Sequence, residues 1–345
     1  MMRELNQREI DILRTIIHLY ILNAMPVGSR SLSKYLEGDY KLSPATIRNV
    51  MADLEEMELI SHPHTSAGRV PTDKGYRFYV DTIMKREALT QSEMDALRNS
   101  LNPNVSEDIL KDASKLLGML SKYLSIVELP HITDLIVFRI ELFYLTSNRL
   151  LVVLALDSNI VRTVTLEVNF EVSEKNLDQL SRFINEKISG KPLKYIRDNF
   201  KDIISDYNQG DAPLIRLFID SIDKLFKNHY KSDRIHISGT QNLLNYPEFE
   251  DLDKVRSVIE LIENEDIIIH LFDTYDTGEK SPQILIGKEL NIKFLEDYAL
   301  VISNYHYGSA SGSIGLIGPK RMNYSKITSL VQYMTELLSD LSEKH

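Results

Sequence analysis

The sequence predicts an α+β multidomain chain, with an N-terminal winged helix-turn-helix and a body whose strands are interrupted by a mainly helical block. Three observations predict it. First, Ser43-Pro44 opens a helix whose apolar stripe is followed by a polar run full of Gly and Pro, from Ser61 to Pro71. Second, Leu135–Thr146, Leu150–Leu156 and Ile160–Val168 are rich in Val, Ile, Leu and Phe and are separated by turn residues. Third, the pattern turns helical from Ser173 to about Tyr230 and later returns to strand.

Taken in order, Asn6-Gln7-Arg8-Glu9 has the form of a capping box. Behind it Ile10, Leu13, Ile16, Ile17, Tyr20 and Ile21 make one apolar face running to about Asn23. Pro26-Val27-Gly28 breaks the chain, and Ser29 opens a short helix containing Leu32, Tyr35 and Leu36. After the turn Gly38–Leu42, Ser43 is a natural N-cap and Pro44 fits the first helical position, where its missing N–H is no loss. Ile47, Val50, Met51, Leu54 and Met57 then recur at helical spacing. The opposite face carries Ala45, Arg48, Asn49 and Ala52, with Glu56 at its end. Alanine lets a helix approach a major groove closely, and Arg and Asn can fork onto the edges of guanine and adenine. An ordinary solvated surface helix has the same pattern. The run from Ser61 to Pro71 is too polar and too punctuated to be core. Gly68-Arg69 at a loop tip can place a guanidinium in a narrow minor groove or on phosphate, and a plain hairpin turn is the alternative. Thr72-Asp73 opens a further helix through Ala88, with Tyr76, Tyr79, Val80 and Ile83 on its apolar side. Lys74 and Arg77 on it either touch phosphate or are solvated.

A connector runs from Thr90 to Pro103, helical around Ser92–Leu101, and Ser106–Tyr123 is an amphipathic helix. The three strand-like runs then form an antiparallel meander. Helices are expected at Leu177–Ile188, Tyr195–Tyr207, Ala212–Tyr230 and Leu252–Glu263, with a short strand at Arg234–Ser238. Strands return at Ile267–Phe272, Gln283–Gly287, Tyr298–Tyr305 and Ser313–Ile317, and a helix over Tyr324–Leu341 closes the chain.

Composition narrows the function classes. A chain of 345 residues holds two or three domains. No cysteine is present, which excludes disulfides and Cys-ligated zinc. No apolar run approaches the ~18 residues of a membrane span, and MMRELNQREIDIL has no secretory core, so a cytoplasmic protein without a membrane partner is expected. The net charge of −10 is unevenly placed: residues 1–85 hold 11 Lys/Arg and 11 Asp/Glu, and the rest 29 against 39. Attraction to phosphate acts within about 10 Å, so a balanced head on an acidic body is compatible with nucleic acid. Enzymatic features are weak. Asp276-Thr277-Gly278 sits in a hairpin-like loop with no second carboxylate to pair with it. His62-x-His64 lacks the further ligands a metal needs. Gly308-x-x-x-Gly312-x-x-Gly315 lacks dinucleotide-loop spacing and reads as a flexible connection between strands. No enzyme activity, cofactor or metal is expected.

HTSAGRVPTDKGYRFYVD at 64–81, SPATIRNVMADLEEMELI at 43–60 and GLIGPKRMNYSKI at 315–327 closely resemble the HrcA family of heat-inducible transcription repressors. Glu58 departs from that pattern at a helix-ending position where Gly is expected. The resemblance implies a winged helix-turn-helix over 1–88, a linker over 89–105 and a GAF-like domain in two parts, 106–170 and 261–345. Between them, over 171–260, it implies an inserted dimerisation domain. It further implies a homodimer that binds an inverted-repeat operator in double-stranded DNA upstream of chaperone operons, released on heat shock, with the chaperonin GroEL as protein partner. The candidate DNA-contacting residues are Ser43, Ala45, Thr46, Arg48, Asn49, Ala52, Thr65, Ser66, Gly68, Arg69, Lys74 and Arg77. A metabolite-responsive winged-helix regulator with a ligand in the GAF-like domain is the alternative, and so is a module whose head is not used on DNA.

Overall fold

A computed structural model describes residues 4–36, 42–63, 68–101, 108–130, 132–146, 148–157, 161–207, 212–226, 234–275 and 282–343. Contacts divide the chain into two compact units. One comprises residues 1–127, 236–303 and 314–334, and the other residues 128–235, 304–313 and 335–345.

The first unit begins with the head. Helix α1 (Gln7–Asn23) starts on the expected capping box, Asn6 accepting from the Glu9 amide while the Glu9 carboxylate takes the Asn6 amide. Its buried stripe, Ile12, Leu13, Ile16 and Ile17, faces α2 (Ser29–Tyr35) and α3 (Pro44–Glu56). Strands β1 (Ile60–Ser61) and β2 (Val70–Pro71) pair antiparallel as the base of the wing. Helix α4 (Asp73–Phe78), capped by Thr72, continues into one π turn over Tyr79–Ile83.

Helices α5 (Gln91–Ser100) and α6 (Ile109–Ser121) lead to strand β3 (Leu124–Glu128), which sequence reading did not find. All five of its residues are buried, so it lacks the alternation that marks a half-exposed strand. β3 is second in a five-stranded sheet. With β8 (Ile235–Ser238), β9 (Gln283–Ile286), β10 (Tyr298–Tyr307) and β11 (Ala310–Pro319), the order is β8-β3-β11-β10-β9. Helices α11 (Thr240–Leu243), α12 (Leu252–Glu263), α13 (Glu265–Thr274) and α14 (Tyr324–Glu343) accompany it.

Two expectations are overturned here. Ile267–Phe272, expected as a strand, is the middle of α13. Three consecutive isoleucines favour extended chain locally, but Ile268, Leu271 and Phe272 are buried at helical spacing and Glu265-Asp266 supply the acidic first turn. The glycine connection is a tight turn instead: Gly308, at φ +62°, closes the β10–β11 hairpin, while Gly312 and Gly315 lie inside β11. A Cβ on Gly315 would stand 2.6 Å from the Phe272 ring, so the strand is glycine there because an aromatic side chain crosses it. Asp276-Thr277-Gly278 lies outside the described residues.

The second unit is built on the meander β4 (Ile136–Thr146), β5 (Arg149–Leu156) and β6 (Val161–Glu167), with the short β7 (Lys191–Pro192) completing the order β6-β5-β4-β7. Helices α7 (Glu174–Ile188), α8 (Leu193–Ser205), α9 (Ala212–Asp220) and α10 (Ile222–Phe226) pack with it on one core containing Val152, Leu154, Leu180, Ile184, Phe200 and Phe218. β7 pairs only with Ile136 and Val137, and Asn185 covers the β4 edge beyond it by bonding both the N–H and the carbonyl of Ile140. The meander therefore shares its core with the helices of 174–226 and forms a separate sheet from β10 and β11, whereas the sequence-based division placed it with them. Glu128, 2% exposed, pairs with Arg234 at 2.7 Å where the chain enters and leaves this unit, and the Leu129 amide bonds the Arg234 carbonyl.

Candidate nucleic-acid interface

The interface starts with how α3 is held. The Ser43 side chain accepts from the Thr46 amide at 3.1 Å and meets the Thr46 hydroxyl at 2.9 Å, so both side chains form the cap. Ile47, Val50, Met51 and Leu54 are buried. That leaves Ser43, Ala45, Arg48, Asn49 and Ala52 exposed and Thr46 half-buried, so the predicted face is open to solvent, together with Asp53 and Glu56. Arg48 and Asn49 make no hydrogen bond or ion pair to any described residue.

The far end of α3 explains the departure at position 58. Glu58 has φ +61°, its amide bonds the Glu55 carbonyl, and the Leu59 amide reaches back to the Leu54 carbonyl at 3.0 Å. This is a Schellman closure, with Leu54 and Leu59 buried together. The backbone takes the left-handed conformation glycine would prefer. Here a glutamate adopts it, and its carboxylate pairs with Lys74 Nζ at 2.8 Å.

The wing is tied inward. Val27 and Arg69 exchange both backbone hydrogen bonds, at 2.8 and 2.9 Å. A Cβ on Gly68 would stand 2.5 Å from the Val27 carbonyl, so Gly68 is required by packing against the Pro26-Val27 segment. The Arg69 guanidinium donates through Nε and Nη2 to Glu55 Oε2 at 3.0 and 2.9 Å. His62 Nδ1 meets the other oxygen of the same carboxylate. Arg77 gives four of its five N–H donors to Glu289, Asp81 and the Ile284 carbonyl. Of the four cations in the candidate set, Arg69, Lys74 and Arg77 thus have acidic partners, and Arg48 has none among the described residues. Thr65, Ser66 and His64 lie outside the described residues.

Sequence reading missed two residues that build this site. Glu55 braces the wing against α3, and only the return of the hairpin brings it to Arg69, 14 residues on. Gly75 was legible: a glycine inside a helical pattern signals close backbone approach, and a Cβ there would stand 2.0 Å from the Leu59 carbonyl oxygen.

Comparison with known proteins places this geometry. Residues 4–84 match the model of the "winged helix-turn-helix transcription repressor, HrcA DNA-binding" domain, and residues 107–328 match that of the HrcA protein C-terminal domain. The chain belongs to the HrcA family. The heat-inducible transcription repressor HrcA of Chlorobium phaeobacteroides (strain BS1) is 38% identical over 98% of this chain and 99% of its own. That of Chlorobium chlorochromatii (strain CaD3) is 37% identical over 98% and 97%. A crystal structure of a hypothetical protein, 24% identical, superposes over 99% of both chains with a TM-score of 0.65 and so shares the fold. As an HrcA-family member the chain is a heat-inducible transcription repressor with a DNA-binding winged helix, and not an enzyme. No described helix is long and apolar enough to cross a membrane.

Proposed function

We propose that the chain works in the cytoplasm as a homodimeric repressor of chaperone operons, reading an inverted-repeat operator with one α3 in each half-site and leaving it on heat shock. The observation that carries this is the exposed face of α3. Arg48 and Asn49 are unpartnered among the described residues, with Ala45 and Ala52 keeping the surface low beside them. Arg48 on guanine and Asn49 on adenine supply discrimination. Ser43 and Thr46, at the N-terminus of α3, offer hydroxyls to the DNA backbone. Thr65 and Ser66 in the wing are proposed to do the same. Arg30 joins the set: it is exposed near the start of α2, the helix that crosses the backbone in this motif, and has no described partner. Arg69, Lys74 and Gly68 are assigned to holding the wing.

The five-stranded sheet with its helices is proposed as the GAF-like domain, and the unit over 128–235 as the inserted dimerisation domain. The register supports a dimer surface there. Phe143, Leu151, Val153, Ala155 and Val161 share one face of the meander, opposite the face that carries Val152 and Leu154 into the core. Phe143 is 46% and Val161 62% exposed; the face also carries the Arg139–Glu141 ion pair with Thr163 and Thr165, and a partly apolar exposed sheet face of this kind suits a partner copy. GroEL is proposed as the chaperonin that keeps the repressor folded.

A gel-shift titration tests the whole, using an inverted-repeat operator and a scrambled duplex of equal length, at two temperatures, with and without GroEL. Selective binding lost on warming is expected. Equal binding to both duplexes with chaperonin present would sink the proposal and direct attention to a small ligand of the sheet domain.

A further inference from the structure

Two of the strings that carry the family resemblance, TDKGYRFYVD (72–81) and GPKRMNYSKI (318–327), meet within the first unit. Arg77 forks onto Glu289, Nε to Oε1 at 2.9 Å and Nη2 to Oε2. Asp73 takes Lys320 Nζ at 2.7 Å, and its other oxygen fills the space where a Cβ on Gly287 would stand. The buried rings of Tyr76 and Tyr324 meet edge-on between them, centroids 5.9 Å apart. Arg321, 8% exposed, completes the contact. It donates to the Ile21 carbonyl at 2.9 Å, in the last turn of α1, while Glu248 holds the rest of its fork. Apolar contacts tolerate sliding. Forked charge pairs with a fixed plane do not, so this surface selects one orientation of the head on the sheet.

We propose that Arg77, Asp73, Lys320 and Arg321 are positioning residues for operator reading, joining each winged helix to the sheet of its own chain at one angle, so that the dimer accepts one half-site spacing. This rests on the dimeric, inverted-repeat reading above. One extra base pair of spacer shifts a half-site by about 3.4 Å and turns it by about 35°. A head fixed at this joint cannot follow that turn, whereas a loosened head can. The two sequence strings are then two halves of one joint, and Arg77 acts on DNA only through it.

The test uses the full chain on inverted repeats selected from a random half-site library, with spacers varied by one and two base pairs, at two salt concentrations. Wild type, Arg77→Glu, Glu289→Gln and the Arg77→Glu/Glu289→Arg double variant are compared, with thermal unfolding in parallel. Glu289→Gln keeps the side-chain shape and serves if Arg77→Glu does not fold. Wild type is expected to favour one spacer by about tenfold or more, as simultaneous engagement of two rigidly held heads requires. Each single variant should flatten that preference to about twofold while keeping its half-site sequence preference and salt slope, and the double variant should regain most of it. Single variants with the wild-type spacer profile would overturn the joint. So would a uniform loss of affinity with a shallower salt slope and no rescue, which makes Arg77 a phosphate ligand. Wild type that ignores inverted repeats altogether would instead remove the dimeric reading on which the joint depends.

Discussion

Arg69→Ala separates the two ways a wing arginine can serve DNA binding. Its guanidinium makes two bonds to one oxygen of Glu55, with the side chains 17% and 29% exposed. Removing it leaves Glu55 with His62 as a partner and with access to water, so the cost falls below the 3–5 kcal/mol of breaking a fully buried pair. About 1–2 kcal/mol is expected, above an exposed surface pair because the fork is largely shielded. The backbone bonds to Val27 do not involve the side chain and survive. If Arg69 instead neutralised phosphate, two copies per dimer would contribute about 1.8 to the slope of log K against log salt, or about a twelvefold difference between 50 and 200 mM. As a brace it contributes nothing to that slope. The assay is a fluorescence-anisotropy titration of operator DNA at four salt concentrations, with thermal unfolding of the same samples. The expected result is a lower Tm, a modest loss of affinity equal at every salt, and an unchanged slope. A slope reduced by about 1.8 with an unchanged Tm would refute the brace.

Arg48→Ala should cost about 1–3 kcal/mol per half-site and relax preference at one base pair, as read by binding to single-base operator variants. Gly75→Ala puts a Cβ 2.0 Å from the Leu59 carbonyl oxygen, so the wing base must shift; a loss of about 1–3 kcal/mol is expected in denaturant unfolding, along with weaker operator binding. Phe143→Asp places a charge in the partly apolar face of the meander, and sedimentation should show a larger monomer fraction with secondary structure retained by circular dichroism. Hydrogen bonding to Lys326, with further help from the Thr90 amide, lowers the Glu93 carboxyl to about 2. A depressed carboxyl stabilises the fold above its unfolded value near 4.5 and withdraws that contribution as pH falls towards 2. Glu93→Gln should therefore flatten this part of the acid limb of a Tm-against-pH curve, by about 1 kcal/mol once solvent screening of the pair is allowed for.

What was legible in the sequence was whatever depends on neighbours along the chain. The stripe of α3, its Ser43-Pro44 start, the capping box of α1 and the left-handed position at 58 are local consequences of spacing and conformational preference, and each has its expected geometry. The elements that were missed are those for which distant packing decides. β3 hides because it is buried on both faces, and α13 hides because a tertiary contact overrides three β-branched residues. The same division runs through the interface. The exposure of Arg48 follows from α3 alone. The fates of Arg69 and Arg77 do not, because their carboxylate partners lie 14 and 212 residues away.

A cation beside a DNA-reading helix invites a phosphate contact, and the head's balanced charge shows why that inference needs the partners as well. Eleven basic residues against eleven acidic ones leave no net attraction to spare, and the structure spends Arg69, Lys74 and Arg77 on Glu55, Glu58 and Glu289. On the proposed reading, Arg48 with Arg30, which have no partner among the described residues, are too few base- and backbone-directed cations for one head to hold DNA firmly by charge alone. If it is the proposed homodimer, a repressor built this way gains affinity by engaging two heads together, because the second contact is then made at high effective concentration. Whatever parts or tilts the heads forfeits that gain at once. On the proposed dimeric reading, a charge-balanced head, a sheet face proposed for a partner copy and a charge-forked joint behind α4 are consistent parts of one design, in which operator occupancy would depend on the assembly holding its shape and heat would act by loosening it.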